Sequence, residues 1–221
     1  MKLSKETQTL VKNFASINMN LLIKQGNKLS TRNEGNNVFA EVTVSETFPQ
    51  DFGIYDVNEF LGVVSLFESP DFAFNGDIVE VKEGKNVIKY KAAEANILKA
   101  PSKSIVFPED ESNITFKLAA SDLDHIIRSA GILKVNDLTV VGDGNTVVAR
   151  VVDVKNVMSN KFEIDLGKSD KKFTAYLKVE NLKMLPGAYD VTIAKMKICR
   201  FKNTSAELCY YVAVEAGSTA E

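Results

Sequence analysis

The second half of this chain repeats the element order of the first, and a duplicated order of this kind restricts the possible folds more than composition can. Leu3, Thr7, Leu10, Val11 and Phe14 recur at helical spacing, one apolar face of a helix that Ser4 is placed to cap. A strand pair is read next over 18–24 and 28–32, turning at Gln25-Gly26-Asn27, and 39–44 alternates like a further strand. Past the middle the order returns. Residues 118–128 read as a helix capped by Ser121, with Leu123, Ile126, Ile127 and Ala130 on one face. A strand at 137–141, the turn Gly142-Asp-Gly-Asn145 and a strand at 146–152 follow it. Laying Lys12 on Arg128 also lays Gly26 on Gly142.

A second helix is read from Asp56 through Phe60, Leu61, Val64 and Phe67, with a looser echo at 177–182. Strands at 77–81 and 86–91, and a last hairpin joining 189–201 to 208–215, supply the sheet. Between the halves, 100–108 carries Pro101 and Pro108 and no periodicity, and leads into Glu109-Asp110-Glu111. The expected fold is α+β, two similar domains each with two helices packed on antiparallel sheet. The domains are 1–108, with the connector at its end, and 109–221.

Charge and motif content narrow the function. The chain has 221 residues, 45% of them apolar, enough to bury a real core. Its 27 basic and 29 acidic residues leave a net charge of −2, so any contact with nucleic acid needs segregated positive charge. No apolar run suits a membrane span and no apolar signal core follows Met1, which sets the expectation of no membrane partner and an intracellular setting. Cys199 and Cys209 are too few for a disulfide framework or a zinc set and read as buried apolar residues. The lone His125 has no nucleophile placed with it, Gly142-Asp-Gly-Asn145 lacks a closing calcium-loop glutamate, and no nucleotide-binding loop is present. The expectation is a protein that is not an enzyme, with no catalytic residues, no metal and no cofactor.

One pattern remains. Lys5, Gln8 and Lys12 share a stripe opposite the apolar face of the first helix, Lys2 precedes it, and Arg128 occupies the matching helix of the second half. Lys178 and Lys183 flank the short helical segment at 177–182, whereas the second helix offers only Asn58, Gly62 and Ser65. Taken singly, each of these cations also fits the solvated face of an ordinary helix.

The opening Met1-Lys-Leu-Ser-Lys5 with Lys12-Asn-Phe-Ala15, the stretch 54–66, Lys183-Met-Leu-Pro-Gly187 and the stretch 211–216 together resemble the sliding clamps, or DNA polymerase processivity factors, of T-even-type bacteriophages. The resemblance runs through both halves in the family's order and is thinnest over 68–100. It implies the DNA-clamp fold and a closed ring of three identical subunits, with helices lining the hole and sheets outside. Lys2, Lys5, Lys12, Arg128, Lys178 and Lys183 would then face duplex DNA without sequence specificity. It further implies a DNA polymerase C-terminal peptide bound near the connector, for which Ile105, Val106, Phe107, Tyr211, Val212 and Val214 are the candidates. A separate clamp-loader ATPase, a role in late transcription and the cytoplasm of an infected bacterial host complete what it implies. The alternative is a non-enzymatic structural or assembly protein with duplicated α+β domains.

Overall fold

Ser4 opens the first helix as its spacing predicts: its hydroxyl accepts from the Thr7 N–H, and α1 runs over Lys5–Ile17. Thr7, Leu10, Val11, Phe14 and Ile17 are buried on one side. The computed structural model describes residues 1–156 and 158–220, and the chain divides into two units, Met1–Ser104 and Ile105–Glu221. The division falls inside the proline-bounded stretch, so Ile105 to Pro108 fold with the second unit.

In the first unit α1 is followed by β1 (Leu21–Ile23), β2 (Gly26–Arg32), β3 (Val38–Phe48), β4 (Phe52–Ile54), α2 (Val57–Ser65), β5 (Asp71–Asn75), β6 (Ile78–Glu83) and β7 (Asn86–Lys91). The expected local hairpin across Gly26 does not form. Strand β1 pairs with β4, Leu21 opposite Ile54 and Ile23 opposite Phe52, and β2 pairs with β3. All four of those β1 and β4 side chains are at most 2% exposed, so apolar burial selects the distant partner over the near one. Gly26 instead takes φ +113° where the β2–β3 register shifts. It serves a bulge, a place where a glycine without Cβ costs little.

Helix α2 is capped by Asp56, whose carboxylate accepts from the Asn58 and Glu59 N–H groups. Its buried residues Val57, Phe60 and Val64 face an aromatic cluster in which Phe60 packs on Phe52, Phe72 and Tyr90. Strands β5, β6 and β7 form a three-stranded antiparallel sheet.

The second unit contains β8 (Ile114–Leu118), α3 (Ala120–Leu133), β9 (Asp137–Asp143), β10 (Thr146–Val152), β11 (Phe162–Lys168), β12 (Lys172–Lys178), β13 (Tyr189–Ala194), β14 (Ile198–Asn203), β15 (Leu208–Ala213) and β16 (Thr219–Ala220). Its sheets run β11-β10-β9-β12-β16 and β15-β14-β13-β8, antiparallel throughout. Ser121 is not the cap of α3. Leu118 completes β8, Ala119 is the N-cap, and Asp122 accepts from the Ala119 N–H at 3.3 Å. The expected fourth helix is also absent. Leu177 and Lys178 pair with Leu138 and Asp137 in β12–β9, which leaves only Val179–Asn181 for a 3₁₀ turn. The described residues therefore hold three α-helices, two in the first unit and one in the second.

Gly142 proves unlike its counterpart Gly26. It lies within β9, between Val147 and Phe173, and a Cβ there would run into the Phe173 ring. The duplication persists in element order, while the two glycines answer different steric demands.

Candidate nucleic-acid interface

The polar side of α1 faces the small residues of α2. Lys5, Gln8, Thr9 and Lys12 line one wall of a groove of about 530 Å³ whose other wall is Asn58, Leu61, Gly62 and Ser65. The two stripes singled out in the sequence thus meet within one unit. Lys5 and Lys12 are exposed, and among the described residues neither enters an ion pair. Lys2 is tied by a 3.0 Å hydrogen bond to Ser69 and lies in a neighbouring groove beside Glu46 and Glu68.

The helix is anchored at both ends. Glu46 on β3 accepts from the Ser4 N–H at 2.5 Å and from the Thr7 hydroxyl at 2.6 Å. At the other end the Asn18 N–H caps on Phe14 O, and its carboxamide donates to Arg32 O at 2.9 Å and Lys99 O at 2.7 Å. Asn20 donates to Tyr55 O, tying the same corner to the start of α2.

Burial pushes the Glu46 carboxyl up, but the Thr7 hydroxyl and the Ser4 N–H and hydroxyl prevail and hold it below the usual glutamate value. A carboxyl depressed on folding stabilises the native state fully above its unfolded pKa of about 4.3, and that contribution is lost as pH falls through the folded value. Glu46→Gln is expected to lower stability at pH 7 by about 1 kcal/mol or less, since the site is partly solvated. The difference from wild type should vanish as urea titrations are taken below about pH 4. A difference that stays constant with pH would remove the role assigned to the carboxylate.

The second unit treats its cations differently. Arg128 is exposed on α3 but bonds Asp124 at 2.8 Å, one turn earlier on the same helix. Lys178 donates to Asp137, a residue 7% exposed whose carboxylate also accepts from the Val154 N–H at 3.2 Å. The Asp137 hydrogen bond raises the Lys178 pKa above the usual lysine value. Its ammonium is committed to an internal ion pair. Lys183 is exposed just beyond the 3₁₀ turn. Arg128, Lys178 and Lys183 accordingly sit on three separate segments, with no counterpart of the α1–α2 groove among the described residues.

The partner candidates divide by strand parity. Val212 on β15 is 0% exposed and faces the core, which removes it from any open pocket. Tyr211 points to the opposite side, where the Phe107 ring packs on it with centroids 6.0 Å apart. Val106 is 92% exposed, and Ile105 and Val214 are half-buried. Sequence reasoning missed Arg200 and Glu109. Arg200 lies opposite Tyr211 in the β14–β15 ladder, its guanidinium 4.2 Å from the Phe107 centroid and ion-paired to Glu109. Nothing in the sequence marks a pair 91 residues apart. Among the described residues no group of His, Cys, Asp or Glu could hold a metal ion, and no helix is long and apolar enough to cross a membrane.

Comparison with known proteins decides what this arrangement belongs to. Residues 4–127 match the family described as DNA polymerase processivity factor, and 115–216 match the C-terminal domain of the gp45 sliding clamp. The chain belongs to the sliding-clamp family. It is 31% identical to the sliding clamp of Enterobacteria phage T4, with 99% of each chain covered, and 29% identical to that of Vibrio phage KVP40, with 98% and 100% covered. Among solved structures, the clamp fold recurs in A. fulgidus PCNA bound to the C-terminal region of FEN-1. That likeness has a TM-score of 0.69 at 13% identity, with 96% of each chain covered. Entamoeba histolytica PCNA gives a TM-score of 0.67 at 15% identity, with 94% of each chain covered. At those identities the likeness speaks for the fold alone. The clamp assignment makes the chain a bacteriophage DNA-replication protein and leaves the reading as a structural or assembly protein without support.

Proposed function

We propose that the chain assembles as a homotrimeric ring around duplex DNA and tethers a replicative DNA polymerase to it. The observation that carries this reading is the α1–α2 groove, where Lys5 and Lys12 stand without ion-pair partners among the described residues beside the uncharged Asn58, Gly62 and Ser65. Such a face attracts phosphate without reading bases. Residence on DNA comes from enclosure, so the contacts need only centre the duplex. A separate ATPase opens and loads the ring, the protein itself doing no catalysis, and a C-terminal polymerase peptide docks beside the connector. The same ring serves late transcription, in the cytoplasm of the infected host. Each unit acts as one clamp domain, and strands β7 and β11, which among the described residues pair on one side only, offer edges for closure between subunits.

The test is mass in solution. Sedimentation equilibrium is expected to give a trimer of the 24.3 kDa chain. A strict monomer at tens of micromolar, on the order of concentrations at which weak interfaces already assemble, overturns the ring.

A further inference from the structure

We infer that the connector carries its own ligand: Phe107 and Glu109 occupy in cis a slot on the Arg200–Tyr211 face that accepts a peptide with an aromatic residue followed two positions later by a carboxylate. This rests on the reading of the connector as the place where partner peptides dock, and it names the side chains that recognise them and the resident they displace.

The slot is built by the β13–β14–β15 ladder. Arg200 stands directly opposite Tyr211 on one side and Thr192 on the other, so the three share a face. The neighbouring residues Cys199, Tyr210 and Val212 are 0% exposed and belong to the opposite face, which leaves this one for the connector. Across it lies a ligand in miniature. The Phe107 ring tilts at 44° on Tyr211, the Arg200 guanidinium lies over that ring 4.2 Å from its centroid, and Glu109 ion-pairs with Arg200, a second contact from Nη2 standing at 3.5 Å. A guanidinium joins an aromatic face and a carboxylate at once because it is planar, weakly hydrated and always charged.

The resident is a poor fit by two measures. The Arg200 Nε is buried without a hydrogen-bond partner, a donor that a better ligand would satisfy. The Glu109 side chain is 67% exposed and Val106 is 92% exposed, so the segment is held by one ring, one solvent-facing ion pair and the Pro108 carbonyl, which accepts from the Asn113 carboxamide at 2.8 Å. Tethering compensates for weak contacts, since a short flexible link supplies an effective concentration of order millimolar. A partner peptide offering the same ring and carboxylate, plus an acceptor for Nε, displaces Phe107 and Glu109 and frees the connector.

The probe is the connector's own sequence supplied in trans, the labelled peptide Ser-Ile-Val-Phe-Pro-Glu-Asp-Glu-Ser. Fluorescence anisotropy is expected to show it binding full-length Phe107→Ala/Glu109→Ala roughly tenfold or more tighter than wild type, because the cis competitor has been removed. Adding Arg200→Ala to that variant, or replacing the peptide's Phe and Glu with alanine, should abolish the gain. Equal affinity for wild type and double variant overturns the proposal, as does a peptide that binds neither. Should the variant fold poorly by circular dichroism, the wild-type chain carries the test through NMR contacts between the Phe107 and Tyr211 rings. Those contacts should fade as peptide is added to millimolar concentration, and their persistence overturns the proposal. The trimer mass of the wild-type sample reports on the ring separately, so failure of the slot and failure of the ring remain distinguishable.

Discussion

A chain carrying Lys5→Ala and Lys12→Ala is expected to fold and form trimers like wild type, yet to load poorly on circular primed DNA. Both lysines are exposed on α1 and make no ion pair among the described residues, and alanine is the better helix former, so stability should move by less than about 0.5 kcal/mol. Capture by the duplex depends on the charge removed. Every phosphate that a lysine no longer neutralises should lower the salt slope of binding by roughly 0.9, for any DNA sequence alike. Processive synthesis by the partner polymerase should fall furthest below wild type at low salt, where the lost attraction is largest, and the gap should narrow as salt screens both proteins. Once closed, the variant ring should stay on circular DNA as long as wild type and slide from linear DNA as readily. Loading and synthesis at wild-type levels across all salt concentrations would make the lysine stripe a solvated face and nothing more.

The second large effect lies in the core. Val212→Asp is expected to cost about 3–5 kcal/mol, the penalty of leaving a charge buried without a partner. The position is 0% exposed, between Cys199 on the adjacent strand and the core beneath it. A loss of that size is a large part of the roughly 5–15 kcal/mol that holds a folded domain together. Ala213→Asp, one residue further on and half-buried, should be tolerated far better because strand parity turns it to the other face. If urea unfolding finds Ala213→Asp the costly substitution and Val212→Asp the mild one, the register of β15 is off by one, since a single-residue slip exchanges the faces.

How far the sequence could be read depended on how local each signal was. Ser4 and Asp56 announced α1 and α2 because a cap acts within three residues of itself. The Lys5–Lys12 stripe and its small-residue counterpart on α2 were likewise visible from spacing alone. The β1–β4 pairing was not, because a glycine between two short apolar runs looks like a hairpin, and only the burial of Phe52 and Ile54 against Leu21 and Ile23 tells otherwise. The echo at 177–182 failed for a related reason: Leu177 and Lys178 were already spent in the ladder with β9. Charge neutralisation split the same way. The Asp124–Arg128 pair is readable four residues apart, whereas Lys178–Asp137 and Arg200–Glu109 bridge 41 and 91 residues and leave no mark on the linear text.

The double anchoring of α1 bears on how a duplex would travel through the ring. Glu46 fixes one end of the helix and Asn18 the other, so its backbone has little freedom to follow a passing phosphate. What moves instead is the lysine stem, four methylenes long with a small ammonium at its tip. A tip that swings between neighbouring phosphates by rotamer exchange, on the picosecond-to-nanosecond scale of exposed side chains, presents no deep well at any one position. In the proposed ring the friction felt by the DNA would be set by side-chain hopping over a stationary track, which would let a tight enclosure coexist with nearly free translation.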